Sequence, residues 1–152
     1  MASITDHAIR FFADDAAVRR VAAGLLDCTL PVAEWTHEAH LAATLCLITE
    51  YPDFDVERDM PGAIAGYNVS QGGVNDDMRG YHETITQTYI RGVRAHLAGC
   101  RASTLAERVN SLLASYRGRR DYPLRFYSPE RLFSIAARRS LADPDLCPFE
   151  EI

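Results

Sequence analysis

The sequence predicts an all-α protein, a compact single-domain bundle of about six to eight helices. Apolar residues recur at helical spacing along most of the 152 residues, and no run of alternating polar and apolar residues is typical of a strand. Capping residues, prolines and glycines separate the helical segments. The length and the 47% hydrophobic content are those of one globular domain, and no linker divides residues 1–152.

Two helices are predicted before the first proline. Thr5 or Asp6 caps a short helix that ends at Phe12. The second spans residues 16–27, where valine, alanine and leucine recur at intervals of three and four. Pro31 lies just beyond it and prevents its continuation.

The third predicted helix is long and the fourth is short. Thr36 is a natural N-cap for a helix over residues 37–50, and Trp35 before it can pack back as a hydrophobic staple. A helix over residues 60–69 has Pro61 in its first turn, where proline is tolerated.

Four further helices are predicted after the break at Gly72-Gly73. The triplet Ser128-Pro129-Glu130 is a strong helix start, because it supplies a capping hydroxyl, a proline at the first position and an acidic residue. The four helices span residues 78–98, 105–116, a short segment that opens at Pro129, and a last segment from Ser134 to Leu141.

The composition argues against nucleic-acid and membrane partners. The net charge is −5 and the pI is about 5.5, whereas a duplex-binding domain usually carries a basic face. The single basic cluster, Arg117, Arg119 and Arg120, is best interpreted as a solvated turn. No apolar run approaches the roughly 18 residues that a membrane span requires.

The cysteines and the start of the chain predict a cytoplasmic protein. Cys28, Cys46, Cys100 and Cys147 are far apart and form neither a disulfide framework nor a zinc-finger pattern. Cys28 and Cys46 lie among apolar residues and are interpreted as core residues. Polar and acidic residues interrupt the first segment, so no secretory signal is expected.

Two histidines occupy apolar faces of predicted helices. Helical spacings, of three, four and seven for the first and of three, seven and eleven for the second, place each of them on a stripe of core residues, so both are expected to point into the interior. His40 heads one stripe and His82 the other, and His37 lies one turn before His40. The two stripes are Ala43, Thr44 and Leu47, and Ile85, Tyr89 and Val93.

These imidazoles carry the predicted chemistry. His40, His82 and Glu83 are the candidate catalytic residues, and His37 joins them in a candidate metal set that would suit iron or zinc. A buried histidine is more often a hydrogen-bonded core residue, and that interpretation remains open. A di-iron centre is not favoured, because Glu34 precedes the helix and no second Glu-x-x-His follows.

Three more residues are candidates for binding a substrate. Asn68 and Tyr81 flank the glycine-rich loop, and Arg131 lies in the helix that opens at Pro129. The free N–H groups of that helix could hold an anion, but simple capping by Ser128 explains the Ser-Pro-Glu order better.

Five segments carry a resemblance to a known family. They are residues 35–41 (WTHEAHL), 67–68 (YN), 80–86 (GYHETIT), 127–132 (YSPERL) and 142–146 (ADPDL). With them the chain resembles an uncharacterised family of small bacterial all-helical proteins, over most of its length from about residue 20. The resemblance implies an all-helical fold and carries over no activity, cofactor or residue role.

The leading functional hypothesis is a small-molecule enzyme with a buried His/Glu pocket, either metal-free or with one transition metal ion. The alternative is a non-catalytic helical module that binds a small ligand or a protein partner, and a third is a purely structural subunit. The sequence leaves the substrate, the cofactor and the oligomeric state open, and a homo-oligomer is one of the alternatives.

Overall fold

Seven α-helices and three short 3₁₀ helices make up the described part of the chain, residues 8–150 of a computed structural model, and no strand occurs there. The predicted all-α class and number of helices are therefore confirmed. The α-helices are α1 (Asp15–Leu26), α2 (His37–Glu50), α3 (Val56–Ser70), α4 (Glu83–Gly99), α5 (Leu105–Ala114), α6 (Pro129–Leu132) and α7 (Ile135–Arg139).

Helix α2 lies at the centre of the bundle. Nine of its fourteen residues are buried, because apolar residues occur on all of its faces. It packs against α1, α3, α4 and α5. Both predicted ends are confirmed: the Thr36 hydroxyl accepts a hydrogen bond from the Ala39 N–H, and the helix ends at the residue before Tyr51-Pro52.

Helix α3 begins four residues earlier than predicted, at Val56, with the Asp55 carboxylate as its N-cap. Pro61 is therefore in the helix interior and not in the first turn. A proline there cannot donate to the carbonyl four residues back, which is that of Glu57. The side-chain amide of Gln87, on α4, donates to this carbonyl instead at 3.0 Å. The carbonyl that the proline leaves without a donor therefore links α3 to α4.

The predicted first helix is wrong over residues 8–12. These residues form an arm without regular secondary structure, and the proposed caps Thr5 and Asp6 lie outside the described residues. The Asn110 side chain on α5 accepts from the Phe12 N–H and donates to the Phe12 carbonyl, both at 2.9 Å. These two hydrogen bonds give the N–H and the carbonyl of Phe12 the partners that a helix would otherwise supply.

The start of α4 also differs from the prediction. Residues 76–82 are not helical, and the helix begins only at Glu83. Gly80 has a φ of +83°, and a Cβ there would meet Asn75, so the chain turns at this glycine. The Asn75 carboxamide ties the loop together, because its oxygen accepts from the Tyr81 N–H and its nitrogen donates to the Ala65 carbonyl.

The chain ends in a segment without regular structure that crosses an aromatic cluster. Phe149 packs against Phe126 and Tyr127. The Glu150 carboxylate pairs with Arg117 and accepts from the Tyr122 hydroxyl. These contacts hold the tail against the two 3₁₀ helices Tyr116–Gly118 and Tyr122–Arg125.

The charged and sulfur-containing residues largely follow the sequence interpretation. Arg117, Arg119 and Arg120 each lie beside a carboxylate, but the pair of Arg117 and Glu150 is partly buried, which differs from the predicted solvated turn. All four cysteines are free, and Cys46 is fully buried in the core. Within residues 8–150, no helix combines the length and the apolar character that crossing a membrane requires.

Candidate functional site

A cavity of about 280 Å³ lies where α2, α3 and α4 meet. Nine of the described residues line it, and none of them is an aspartate, glutamate, lysine or arginine. The apolar ones are Leu41, Met60, Ile64 and Ile85. The polar ones are His37, His40, Thr44, Thr86 and Tyr89. A mostly apolar cavity with a few polar groups has the composition of a small-molecule site.

His40 is the most constrained of these polar residues. Its ring stacks on Trp35, with centroids 3.7 Å apart and planes at 30°, so the predicted staple is formed between Trp35 and His40. Its Nδ1 lies 2.7 Å from the Thr36 carbonyl oxygen. A carbonyl only accepts, so Nδ1 carries the proton and Nε2 keeps its lone pair.

Burial lowers the pKa of His40 to about 4, because its effect exceeds the raising effect of the bond to Thr36, and His37 adds a smaller lowering. The ring is therefore neutral at physiological pH. In this state Nε2 is a hydrogen-bond acceptor and a proton acceptor, and it has no hydrogen-bond partner among the described residues.

His37, one turn earlier, is fixed by a residue far along the chain. Its Nε2 donates to the Gly118 carbonyl at 2.8 Å, and its ring meets Tyr89 edge to face at 5.5 Å. A Cβ at Gly118 would collide with the Leu112 backbone, so only glycine lets this carbonyl approach. Burial lowers the pKa of His37, and Arg120 nearby lowers it further.

Glu38 provides a buried carboxylate next to His37 on α2. The residue is 5% exposed. One oxygen accepts from the Arg10 N–H at 3.4 Å, and the other makes no hydrogen bond among the described residues but lies 3.8 Å from the Arg120 guanidinium. Glu38 does not line the cavity.

His82 is buried as predicted, but it serves as the N-cap of α4 and does not line the cavity. Its Nδ1 accepts from the Ile85 N–H at 3.1 Å, and its Nε2 donates to the Leu132 carbonyl at 2.8 Å. Both ring nitrogens are thus occupied, which leaves neither free to ligate a metal or accept a substrate proton. Burial lowers the pKa of His82, in keeping with a neutral capping ring.

The predicted metal set is not assembled by the fold. Within residues 8–150, no three residues of the types His, Cys, Asp and Glu lie close enough together to hold a metal ion. His37 and His40 share the cavity, whereas His82 and Glu83 do not line it. Glu83 lies in the first turn of α4, where a negative charge interacts favourably with the helix dipole.

Two of the three predicted substrate-binding residues, Asn68 and Arg131, hold loops together through their side chains. The Asn68 amide donates to the Asn75 carboxamide at 3.0 Å, and Arg131 donates to the Asp143 carbonyl at 2.6 Å. The Tyr81 hydroxyl is buried without a hydrogen bond among the described residues, and burial together with Glu83 raises its pKa. None of the three lines the cavity.

The helix start at Ser128 is a cap, as the Ser-Pro-Glu order predicts. The Ser128 hydroxyl accepts from the Arg131 N–H, and the Asp145 carboxylate accepts from both the N–H and the hydroxyl of Ser128. A carboxylate of the chain itself therefore stands where an anion would bind.

The chain matches none of the protein-family models, curated proteins or solved structures with which it was compared.

Proposed function

We propose that this protein binds a small, largely apolar molecule in the cavity between α2, α3 and α4, and that His40 is the group that recognises its polar end. The proposal retains the small-molecule pocket predicted from the sequence and replaces the His40–His82–Glu83 set with the pair His37 and His40. A cytoplasmic location belongs to the same proposal and is supported by the four free cysteines.

One observation carries the proposal. The Thr36 carbonyl holds the proton of His40 on Nδ1, which leaves a fixed lone pair on Nε2 of a ring that lines an apolar cavity. His40 is only partly buried, so its Nε2 is accessible from the cavity. A ligand that donates a hydrogen bond to Nε2 replaces water there, and such a bond adds about 0.5–1.5 kcal/mol to the apolar contacts.

Catalysis is a second candidate, supported by the same tautomer. A histidine whose Nδ1–H is held by an acceptor is oriented as a general base through Nε2. A pKa of about 4 makes His40 a weak base at neutral pH, so binding is a better supported role for this residue than proton transfer. Turnover of a bound compound that His40→Phe abolishes would establish the catalytic role.

The binding proposal is tested with phenol, a small aromatic probe, by NMR titration of the ¹⁵N-labelled protein. We expect saturable shifts at the backbone amides of cavity residues, with a Kd of about 1–10 mM for a ligand of this size. Ile85→Phe fills the cavity and should abolish these shifts. Ile135→Phe is the matched control, because Ile135 is exposed on α7 and does not line the cavity. Absence of saturable shifts, or their persistence in Ile85→Phe, overturns the proposal.

A further inference from the structure

We infer, on the basis of the proposed function, that the ligand of this cavity is an uncharged molecule that donates a hydrogen bond through an O–H or N–H group, and not an anion or a compound that only accepts. The inference comes from the direction of each hydrogen bond made by the polar residues of the lining. It names a substrate class that no property of the sequence indicates.

The two histidines direct their protons away from the cavity. The His40 Nδ1–H donates to the Thr36 carbonyl at 2.7 Å, and the His37 Nε2–H donates to the Gly118 carbonyl at 2.8 Å. Each ring is held neutral by burial, so each retains one unprotonated nitrogen. The two rings together offer lone pairs and no spare proton.

The hydroxyl groups follow the same direction. The Thr44 hydroxyl donates to the His40 carbonyl at 2.8 Å, and the Tyr89 hydroxyl donates to the Arg119 carbonyl at 2.6 Å. Each hydroxyl has one proton, so both oxygens can only accept from a ligand. Thr86 is the one polar lining residue whose hydroxyl makes no hydrogen bond among the described residues.

The cavity is therefore rich in acceptors and poor in donors. A carboxylate or phosphate in it would face lone pairs without a cationic partner, because no Lys or Arg is among the described residues that line it. An ammonium ion would find acceptors but no carboxylate to balance its charge. A neutral alcohol, phenol or N–H heterocycle donates a hydrogen bond to these acceptors and carries no charge that the lining would have to balance.

Four probes of one size separate these classes: phenol donates, benzaldehyde only accepts, benzoate is anionic and toluene is apolar. Phenol and toluene are compared in the wild type and in His40→Phe, so that the difference in their hydration cancels. We expect the ratio of phenol to toluene affinity to fall about tenfold in His40→Phe, the loss expected of one hydrogen bond. Benzoate should not bind, and the affinity for benzaldehyde should be independent of His40.

A second measurement uses only the wild-type protein, in case His40→Phe does not fold. Saturation with phenol should shift the ¹⁵N resonance of His40 Nε2, and saturation with toluene should leave it unchanged. If toluene binds but phenol gains nothing from His40, or if benzoate binds best, the inference is overturned while the pocket stands. If none of the four probes binds, the proposed function itself fails.

Discussion

Acid should destabilise this protein through His40, and the size of the effect follows from the site. Burial holds the pKa of His40 at about 4, against 6.5 for an unperturbed histidine. Between these two values the unfolded chain binds a proton that the folded protein excludes. The stabilisation is therefore complete above pH 6.5 and is lost as the pH falls toward 4.

The magnitude is about 3 kcal/mol, since each pKa unit corresponds to about 1.4 kcal/mol. Stacking on Trp35 opposes this effect, because an imidazolium over an indole ring gains about 0.5–2 kcal/mol of cation–π energy. Burial remains the larger of the two contributions. Protonation should therefore lower the free energy of unfolding despite the favourable stacking.

Urea denaturation between pH 7 and pH 4.5 measures the loss, with His40→Phe as the control. The variant keeps an aromatic ring against Trp35 and cannot titrate at this position. Burial also lowers the pKa of His37, His82 and His96, so both proteins should lose stability in acid, and the wild type should lose more per pH unit. Trp35 is the only tryptophan, so its fluorescence reports the titration of His40 directly. Equal slopes, or a His40 pKa near 6.5, would refute the reasoning.

Three further substitutions test other contacts by urea denaturation. His82→Ala should lower the free energy of unfolding by about 2–3 kcal/mol, because it removes an N-cap and the bond to Leu132, yet it should leave phenol binding intact; lost binding would show that His82 serves the cavity. Tyr81→Phe should leave stability unchanged or raise it by up to about 1 kcal/mol, since its buried hydroxyl has no partner, and a clear loss would contradict this. Gly118→Ala should cost about 1–3 kcal/mol and shift the His37 ring resonances, so a silent substitution would argue against the close approach.

Helix α2 and its histidine could be predicted because local signals agree there. A threonine cap, an aromatic staple and a Tyr-Pro end all bound the same fourteen residues, and each signal acts over a few positions. The inward face of His40 followed from the spacing to Thr44 and Leu47, which are both buried.

The sequence predicts the start of α4 too early, because His82 is a cap of a kind that sequence patterns rarely show. Histidine is not among the residues that usually cap helices, so the periodic pattern was extended back through it. The turn at Gly80 and the carboxamide of Asn75 end that pattern, but neither has a fixed distance from the helix start.

The remainder of the cavity depends on tertiary packing. Met60 and Ile64 reach it from α3, whose angle to α2 cannot be read from either helix alone. The carbonyl that orients His37 belongs to a residue 81 positions away. These contacts arise from the way the helices meet, so no local pattern in the sequence indicates them.

The bond between Phe12 and Asn110 has a consequence for synthesis on the ribosome. Its two partners are 98 residues apart, so the arm of residues 8–12 has no partner on α5 until that helix has been translated. At about 5–20 residues per second, this interval is roughly 5–20 s. During that time the arm can contact α2 through the bond between the Arg10 N–H and Glu38, but the backbone of Phe12 lacks both of its partners. For this interval the Phe12 backbone is therefore open to water, and to chaperones and proteases, until Asn110 arrives.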